Sequence, residues 1–512
     1  MHTHRVGKKI KTLEELVPIV QQLKAEGKRV VLAHGVFDLM HMGHIYYLDQ
    51  AADYGDVLIV SVLDDTFVHK GPNRPAFAES IRQRSVASLG YVSFVVPCRE
   101  LGPYKIIRQL RPDIYARGED VMPLLDDPTS GLNRDKEALD EVGGKMEFLQ
   151  IVPLVHSTSL LNRYFPPNPP EVMAFLDDFK KKYDYASVVG HLQSLRNLKV
   201  LVVGETIIDE YCYAAPLPGT PSKSPVIAAE VREREMFAGG VLACANHIAG
   251  LCETVDVVTY LGETCSREEF IRGKLQPNVR PEFFICPNRP TITKTRYIDP
   301  AYLTRLFELY EFDRKPIPTE LEDSIDAYLK GCLADYDLVL VADYGHKLLS
   351  KRLIETIRSG AAFLAVNAQT NAGNLGFNYA TKYQGADYLC VDEREARLAV
   401  HDDESDVKDV ARSVRSSTGA ASVVLTLGRR GALFLDNGQA GIIPSFTTSV
   451  VDTVGAGDAF LAFSSLCAAR GLSSDLTAFV GNVAGSLAVE VIGNKTPISS
   501  ELFFQRLKYL LD

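Results

Sequence analysis

This chain of 512 residues has no paired cysteine motif, no long apolar run and no excess of positive charge. Its nine cysteines are odd in number, scattered between Cys98 and Cys467 and never spaced Cys-x-x-Cys, so neither a disulfide framework nor a zinc site is indicated. A reducing cytoplasm is the compartment this usage predicts. No apolar run approaches the roughly 18–20 residues needed to span a bilayer. The basic start, residues 1–10, leads into a mixed helix at 12–26 instead of an apolar signal core. No membrane partner is expected. The formal net charge of −10 argues against a general nucleic-acid-binding surface and leaves room for a local basic pocket that takes phosphates. Phosphorylated small molecules fit that balance better than nucleic acid.

Apolar residues make up 46% of the chain and charged ones 23%, the usage of a globular protein that buries large cores. The length exceeds one ordinary core, and two domains are expected. Short apolar runs at 30–33, 57–62 and 92–96 alternate with amphipathic segments near 43–54, 79–89 and 103–110, the pattern of βαβ units around a parallel sheet. A strand at 114–117, a polar stretch at 118–134, a helix and a strand near 146–151 complete a first domain, 1–165. Pro166-Pro-Asn-Pro-Pro170 is a stiff breaker followed by charged helical sequence, which sets a linker at 166–196. The second domain, 197–512, alternates again, with strands at 198–203, 255–260, 338–342, 363–366, 388–391 and 423–427 and closing helices at 457–469 and 475–491. Both halves read as α/β.

Residues 35–44, Gly-Val-Phe-Asp-Leu-Met-His-Met-Gly-His, put two imidazoles three positions apart where a buried strand meets a helix. When a sugar phosphate attacks the α-phosphate of a nucleoside triphosphate, negative charge builds on the α-phosphoryl oxygens and on departing pyrophosphate, and preorganised donors lower the barrier. His41 and His44 share a helix face and can supply them, beside the N–H groups and dipole of the helix start. Gly43 lets phosphate approach the backbone, Gly35 supplies a tight turn, and Asp38 can orient backbone or a histidine. With its strand before and helix after, this stretch resembles the cytidylyltransferase-like nucleotidyltransferases and their His-x-Gly-His signature, which implies a Rossmann-like domain. The resemblance implies catalytic roles for His41, His44 and Lys70 and nucleotide contacts for Gly35, Phe37, Asp38 and Gly43. It extends these contacts to Arg117, Gly118 and Asp120 of an Arg-Gly-Glu-Asp turn, and to Ser157, Thr158 and Ser159 at the start of the last helix, where hydroxyls serve equally as helix caps. Arg82 and Arg84 read as exposed helix arginines.

Near the other end, Asp452-Thr-Val-Gly-Ala-Gly-Asp458 combines small residues at a helix start with a carboxylate. Gly455, Ala456 and Gly457 leave N–H groups facing a developing charge, and Asp458 can take a hydroxyl proton. The motif resembles the signature of the ribokinase (phosphofructokinase-B type) sugar kinases. By that resemblance Asp209, Gly239, Gly240 and Asn246 bind sugar, Thr426, Gly428, Gly431 and Asn482 meet ATP, and Glu395, with Asp392 beside it, organises Mg²⁺ through water. Lys294 and Arg296, on an expected strand, are candidates to hold a phosphate already on the sugar. Ribokinase-like domains often dimerise, so a homodimer is implied.

The pairing resembles the bifunctional enzymes that phosphorylate D-glycero-D-manno-heptose 7-phosphate at O1 and transfer AMP from ATP onto heptose 1-phosphate. It implies sugar phosphates and nucleoside triphosphates as ligands. Three departures stand out. The transferase precedes the kinase, the reverse of the common fused order. Asp392 occupies the Asn position of Asn-x-x-Glu, and Ser222-Lys-Ser-Pro-Val226 stands where those kinases have Pro-Glu-Ala-Pro-Val. Another phosphorylated sugar or polyol, with CTP as nucleotidyl donor and a CDP-linked product, therefore stays open. A non-catalytic sugar-phosphate sensor is the remote alternative, since fold alone does not establish activity.

Overall fold

The computed structural model describes residues 6–68, 74–125, 130–150, 168–217, 228–436, 438–447 and 449–511. It divides into two compact units, one running to Pro169 and including Phe504–Leu510, the other comprising Pro170–Phe503.

The first unit is built on a parallel sheet of β1 (Val30–Gly35), β2 (Val57–Leu63), β3 (Phe94–Cys98), β4 (Ile114–Gly118) and β5 (Lys145–Leu149), in the order β3-β2-β1-β4-β5. Every residue of β2 is buried, as expected of a strand covered on both faces. Along β1 the side chains alternate between two cores: Val30 and Leu32 pack with Leu16 and Ile59, whereas Val31 and Ala33 pack with Leu48 and Val60. The strand order reverses between β1 and β4, which makes the carboxyl ends of these two strands the switch point at which ligands bind in open sheets of this kind. The helix α1 (Met42–Ala52) follows β1 directly.

Arg82, on α2 (Glu79–Ala87), corrects a sequence expectation, because it is buried instead of exposed. It donates to the carbonyls of Phe77 (2.9 Å), Val36 (2.5 Å) and Leu63 (2.6 Å) and to Asp65 (2.6 Å). Loop carbonyls beyond β1 and β2 require donors, and a guanidinium supplies them in one fork. Arg82→Met is expected to destabilise the first unit by about 3 kcal/mol or more, since it orphans several buried acceptors. Denaturant unfolding checks this against Arg84→Met, an exposed position expected to shift stability by less than about 0.5 kcal/mol.

The second unit carries a nine-stranded sheet in the order β10 (Val279–Pro290), β9 (Val255–Thr264), β6, β13, β14, β15, β16, β17 (Ala432–Asp436) and β18 (Gln439–Ile443). Its central strands, β6 (Val200–Gly204), β13 (Leu338–Asp343), β14 (Leu364–Ala368), β15 (Tyr388–Asp392) and β16 (Ser422–Thr426), are parallel. Their carboxyl ends therefore emerge on one edge. A smaller sheet, β12-β11-β7-β8, is formed by β7 (Thr206–Pro216), β8 (Ala229–Gly240), β11 (Ile292–Asp299) and β12 (Thr304–Glu311). In the stretch read as a linker, α3 (Pro170–Phe179) and α4 (Tyr185–Gln193) form, and Phe179 of α3 stacks on Phe479 at 4.2 Å. The nine cysteines are free thiols, and no described helix is long and apolar enough to cross a membrane.

Candidate active sites

In the first unit His41 is the N-cap of α1, and its Nδ1 accepts the Gly43 N–H at 3.1 Å. A neutral ring so held carries its proton on Nε2, which makes that atom a donor. A Cβ on residue 43 would sit 2.9 Å from the His41 ring, so the glycine is required by the imidazole as well as by any approaching phosphate. The His41 and His44 rings lie 4.0 Å apart, and Phe37 meets His44 edge-on at 5.6 Å. Phe37 adopts φ 53°, a left-handed conformation unusual for a bulky residue and typical of functional sites. Gly35 lies against the Phe37 ring, and Asp38 orients backbone: its carboxylate accepts from the N–H groups of Ala76 (2.8 Å) and Phe77 (3.1 Å).

Arg117 and Gly118 end β4, on the other side of the switch point. Arg117 donates to the Tyr115 hydroxyl (2.9 Å), which donates to the buried Asp135 (3.1 Å). Burial pushes the Asp135 carboxyl up to about 6. Asp120 lies in the following short helix, Glu119–Leu125. Lys70, Ser157, Thr158 and Ser159 fall outside the described residues, as does the segment from Ser222 to Val226.

In the second unit a cleft of about 540 Å³ lies at the carboxyl edge of the parallel strands and is walled by the small sheet. Asp209 of β7 and Lys294 of β11 are direct cross-strand partners there. Arg296 donates to Asp209 Oδ1 at 2.5 Å and to Glu308 at 3.1 Å, and burial lowers the proton affinity of Lys294. Gly239 makes room for this carboxylate: a Cβ there would stand 2.1 Å from Asp209 Oδ2. Gly240, which lines the cleft, caps the next helix.

Gly455, at φ 85°, is the N-cap of α5 (Ala456–Ala469), and Asp458 sits in its first turn. Burial, assisted by the charge of Asp209, pushes the Asp458 carboxyl up to about 7, against the Tyr344 hydrogen bond and Lys294. Gly457 and Asp458 face the cleft, as do Thr426 and Gly428 at the end of β16. Gly431, Asn246 and Asn482 do not line it. Gly431 packs under the Ile443 carbonyl, while Asn482 donates to the Pro444 carbonyl at 2.6 Å. Asn246 donates to the Lys274 carbonyl (3.0 Å) and accepts from Gln276 N–H (2.9 Å). These two amides brace loops.

Asp392 and Glu395 form a capping box on the helix Glu393–Val400, and Glu395 also accepts from Thr370 N–H at 3.0 Å. Burial and the Asp392 charge push Glu395 up to about 8, a penalty an adjacent cation would relieve. No cluster of three or more metal-ligating side chains exists among the described residues. These carboxylates thus fit a divalent cation that takes most of its ligands from phosphates and water.

Sequence reasoning missed Tyr344 and Glu205. Tyr344 follows β13, lines the cleft and donates its hydroxyl proton to Asp458 Oδ1 at 2.9 Å. The only hint in the sequence is a polar Asp-Tyr closing an apolar strand.

Residues 197–501 match the family model described as pfkB family carbohydrate kinase, and residues 32–161 match the one described as cytidylyltransferase-like. The "Bifunctional protein HldE" of Trichlorobacter lovleyi is 28% identical over 324 residues, which cover 62% of this chain and 65% of that protein. The protein of the same name from Sulfurimonas denitrificans is 41% identical over 122 residues, 23% of this chain and 26% of the relative. The chain thus spans less than two thirds of the length of these curated relatives. The crystal structure of phosphofructokinase-2 from Escherichia coli in complex with substrates and products aligns with a TM-score of 0.51 at 15% identity, covering 61% of this chain and 99% of that one, a likeness of fold. With more than half of its length matched by that one model, and a cytidylyltransferase-like region ahead of it, the chain belongs to the pfkB family of carbohydrate kinases.

Proposed function

We propose that the chain is a bifunctional transferase that makes a nucleotide-activated sugar, acting as heptose 7-phosphate 1-kinase and heptose 1-phosphate adenylyltransferase. The convergence of Asp209, Lys294, Arg296 and Asp458 in one cleft carries the kinase half. Asp209 accepts sugar hydroxyls, while Lys294 and Arg296 attract the phosphate the sugar already bears. As the sugar oxygen bonds to the γ-phosphorus and ADP departs, Asp458 takes the hydroxyl proton, and N–H groups at the start of α5 stabilise the phosphoryl charge. Asp392 and Glu395 would hold Mg²⁺, which would neutralise phosphate charge there.

In the transferase half a phosphate oxygen of the sugar 1-phosphate bonds to the α-phosphorus of ATP and pyrophosphate leaves. His41 and His44 donate to the charge that builds. The cationic Lys223, where related kinases have a carboxylate, favours a second reading, another phosphorylated sugar or polyol converted with CTP to a CDP-linked product. The cytoplasm is the proposed compartment and a homodimer the proposed assembly, with no nucleic-acid or membrane partner.

Because Asp458 must be unprotonated to act, kinase kcat is expected to rise with pH through about 7 and level off above it. A profile flat from about pH 5.5 to 8 would remove Asp458 as the base. Substrate identity is tested by mass spectrometry with Mg²⁺, ATP or CTP, and heptose 7-phosphate or heptose 1-phosphate in separate reactions. The 1,7-bisphosphate and ADP-heptose are expected. Turnover of neither sugar would remove heptose and direct the search to other phosphosugars.

A further inference from the structure

Asp458 receives one side-chain hydrogen bond among the described residues, from Tyr344. Several hydrogen bonds fix the backbone of that donor. Its backbone N–H donates to Glu205 Oε2 at 2.9 Å, and its carbonyl accepts from Asn371 (2.8 Å) and Asn374 (3.1 Å). Cys244 Sγ flanks the hydroxyl at 3.8 Å. Glu205, at 0% exposure in the β6–β7 junction, also accepts the N–H groups of His346 (3.0 Å) and Leu348 (3.3 Å). A carboxyl group taken fully out of water is costly unless donors surround it, and here three backbone N–H groups of the loop after β13 do so.

We infer that Tyr344 is a positioning residue for the kinase base and that Glu205 fixes Tyr344 in turn, an assignment that rests on Asp458 being that base. The phenol holds Oδ1 and favours the carboxylate form, which leaves Oδ2 to take the sugar proton. Asp209 on β7 opposes the carboxylate form of Asp458, and Lys294 on β11 supports it. Removing the hydroxyl withdraws a hydrogen bond that the charged form of the base receives, while Asp209, Lys294 and Arg296 stay in place.

Tyr344→Phe is expected to lower kcat about five-fold at pH 7 and about ten-fold well below it, with KM for the sugar within about two-fold. The acid limb of its pH–kcat profile should move up by about one pH unit, so that the deficit closes at high pH. Glu205→Gln should reproduce the shift, and the double variant should be no worse than the poorer single one, as expected of residues acting in series. A lowered melting temperature with kcat and acid limb unchanged would overturn the inference. Asp458→Asn belongs in the same series. If it is inactive while Tyr344→Phe matches the parent, the positioning role alone fails; if it is fully active, the base assignment fails first.

Discussion

Asp458→Asn is expected to reduce sugar-kinase turnover by about 10²-fold or more while leaving nucleotidyl transfer at the parental rate. The substitution preserves the shape of the side chain and an oxygen to accept from Tyr344, but an amide cannot take the hydroxyl proton. Binding should survive, because Asp209 and Lys294 belong to the small sheet and not to α5. The loss therefore falls on kcat, with the sugar KM little changed. Nucleotidyl transfer is insulated because His41 and His44 lie in the other compact unit. Equal loss of both activities in a protein that still unfolds cooperatively would contradict independent sites.

His44→Ala is expected to do the converse, lowering nucleotidyl transfer by about 10²–10³-fold, the usual effect of deleting a donor aimed at developing charge. Kinase kcat and KM should be unchanged. His44 also packs against the edge of Phe37, so some destabilisation is expected alongside. Stopped assays on both half-reactions, with melting curves on the same samples, separate that from chemistry. Parental adenylyl and cytidylyl transfer in a folded His44→Ala protein would refute the role given to the histidine.

The two signature stretches were legible because each is contiguous: His41 to His44 and Asp452 to Asp458 carry both the turn that starts a helix and the groups placed on it. The α/β class was legible for a similar reason, since strands buried on both faces leave continuous apolar runs. Elements defined by their surroundings were harder to read. β8 has charged residues at 230 and 232–235 because much of its length is exposed, so its sequence carries no buried-strand run. Arg82 sits among polar neighbours on α2, and only the loops that fold over it make it a core residue. The Glu205–Tyr344 contact joins positions 139 apart, which topology sets and local pattern does not. Asn246 and Asn482 show a further limit: each amide is visible in sequence, but the distant loop carbonyl it donates to is not.

The most direct test of two chemistries on one chain follows where the label goes from ATP labelled at the γ- or the α-phosphorus, with α-labelled CTP in parallel. γ-Label should enter the sugar phosphate in the parent and in His44→Ala and fail to do so in Asp458→Asn. α-Label should enter a nucleotide sugar, supplied with sugar 1-phosphate, in the parent and in Asp458→Asn and fail to do so in His44→Ala. Both labels falling together in either folded variant, or neither entering any sugar in the parent, would contradict the account.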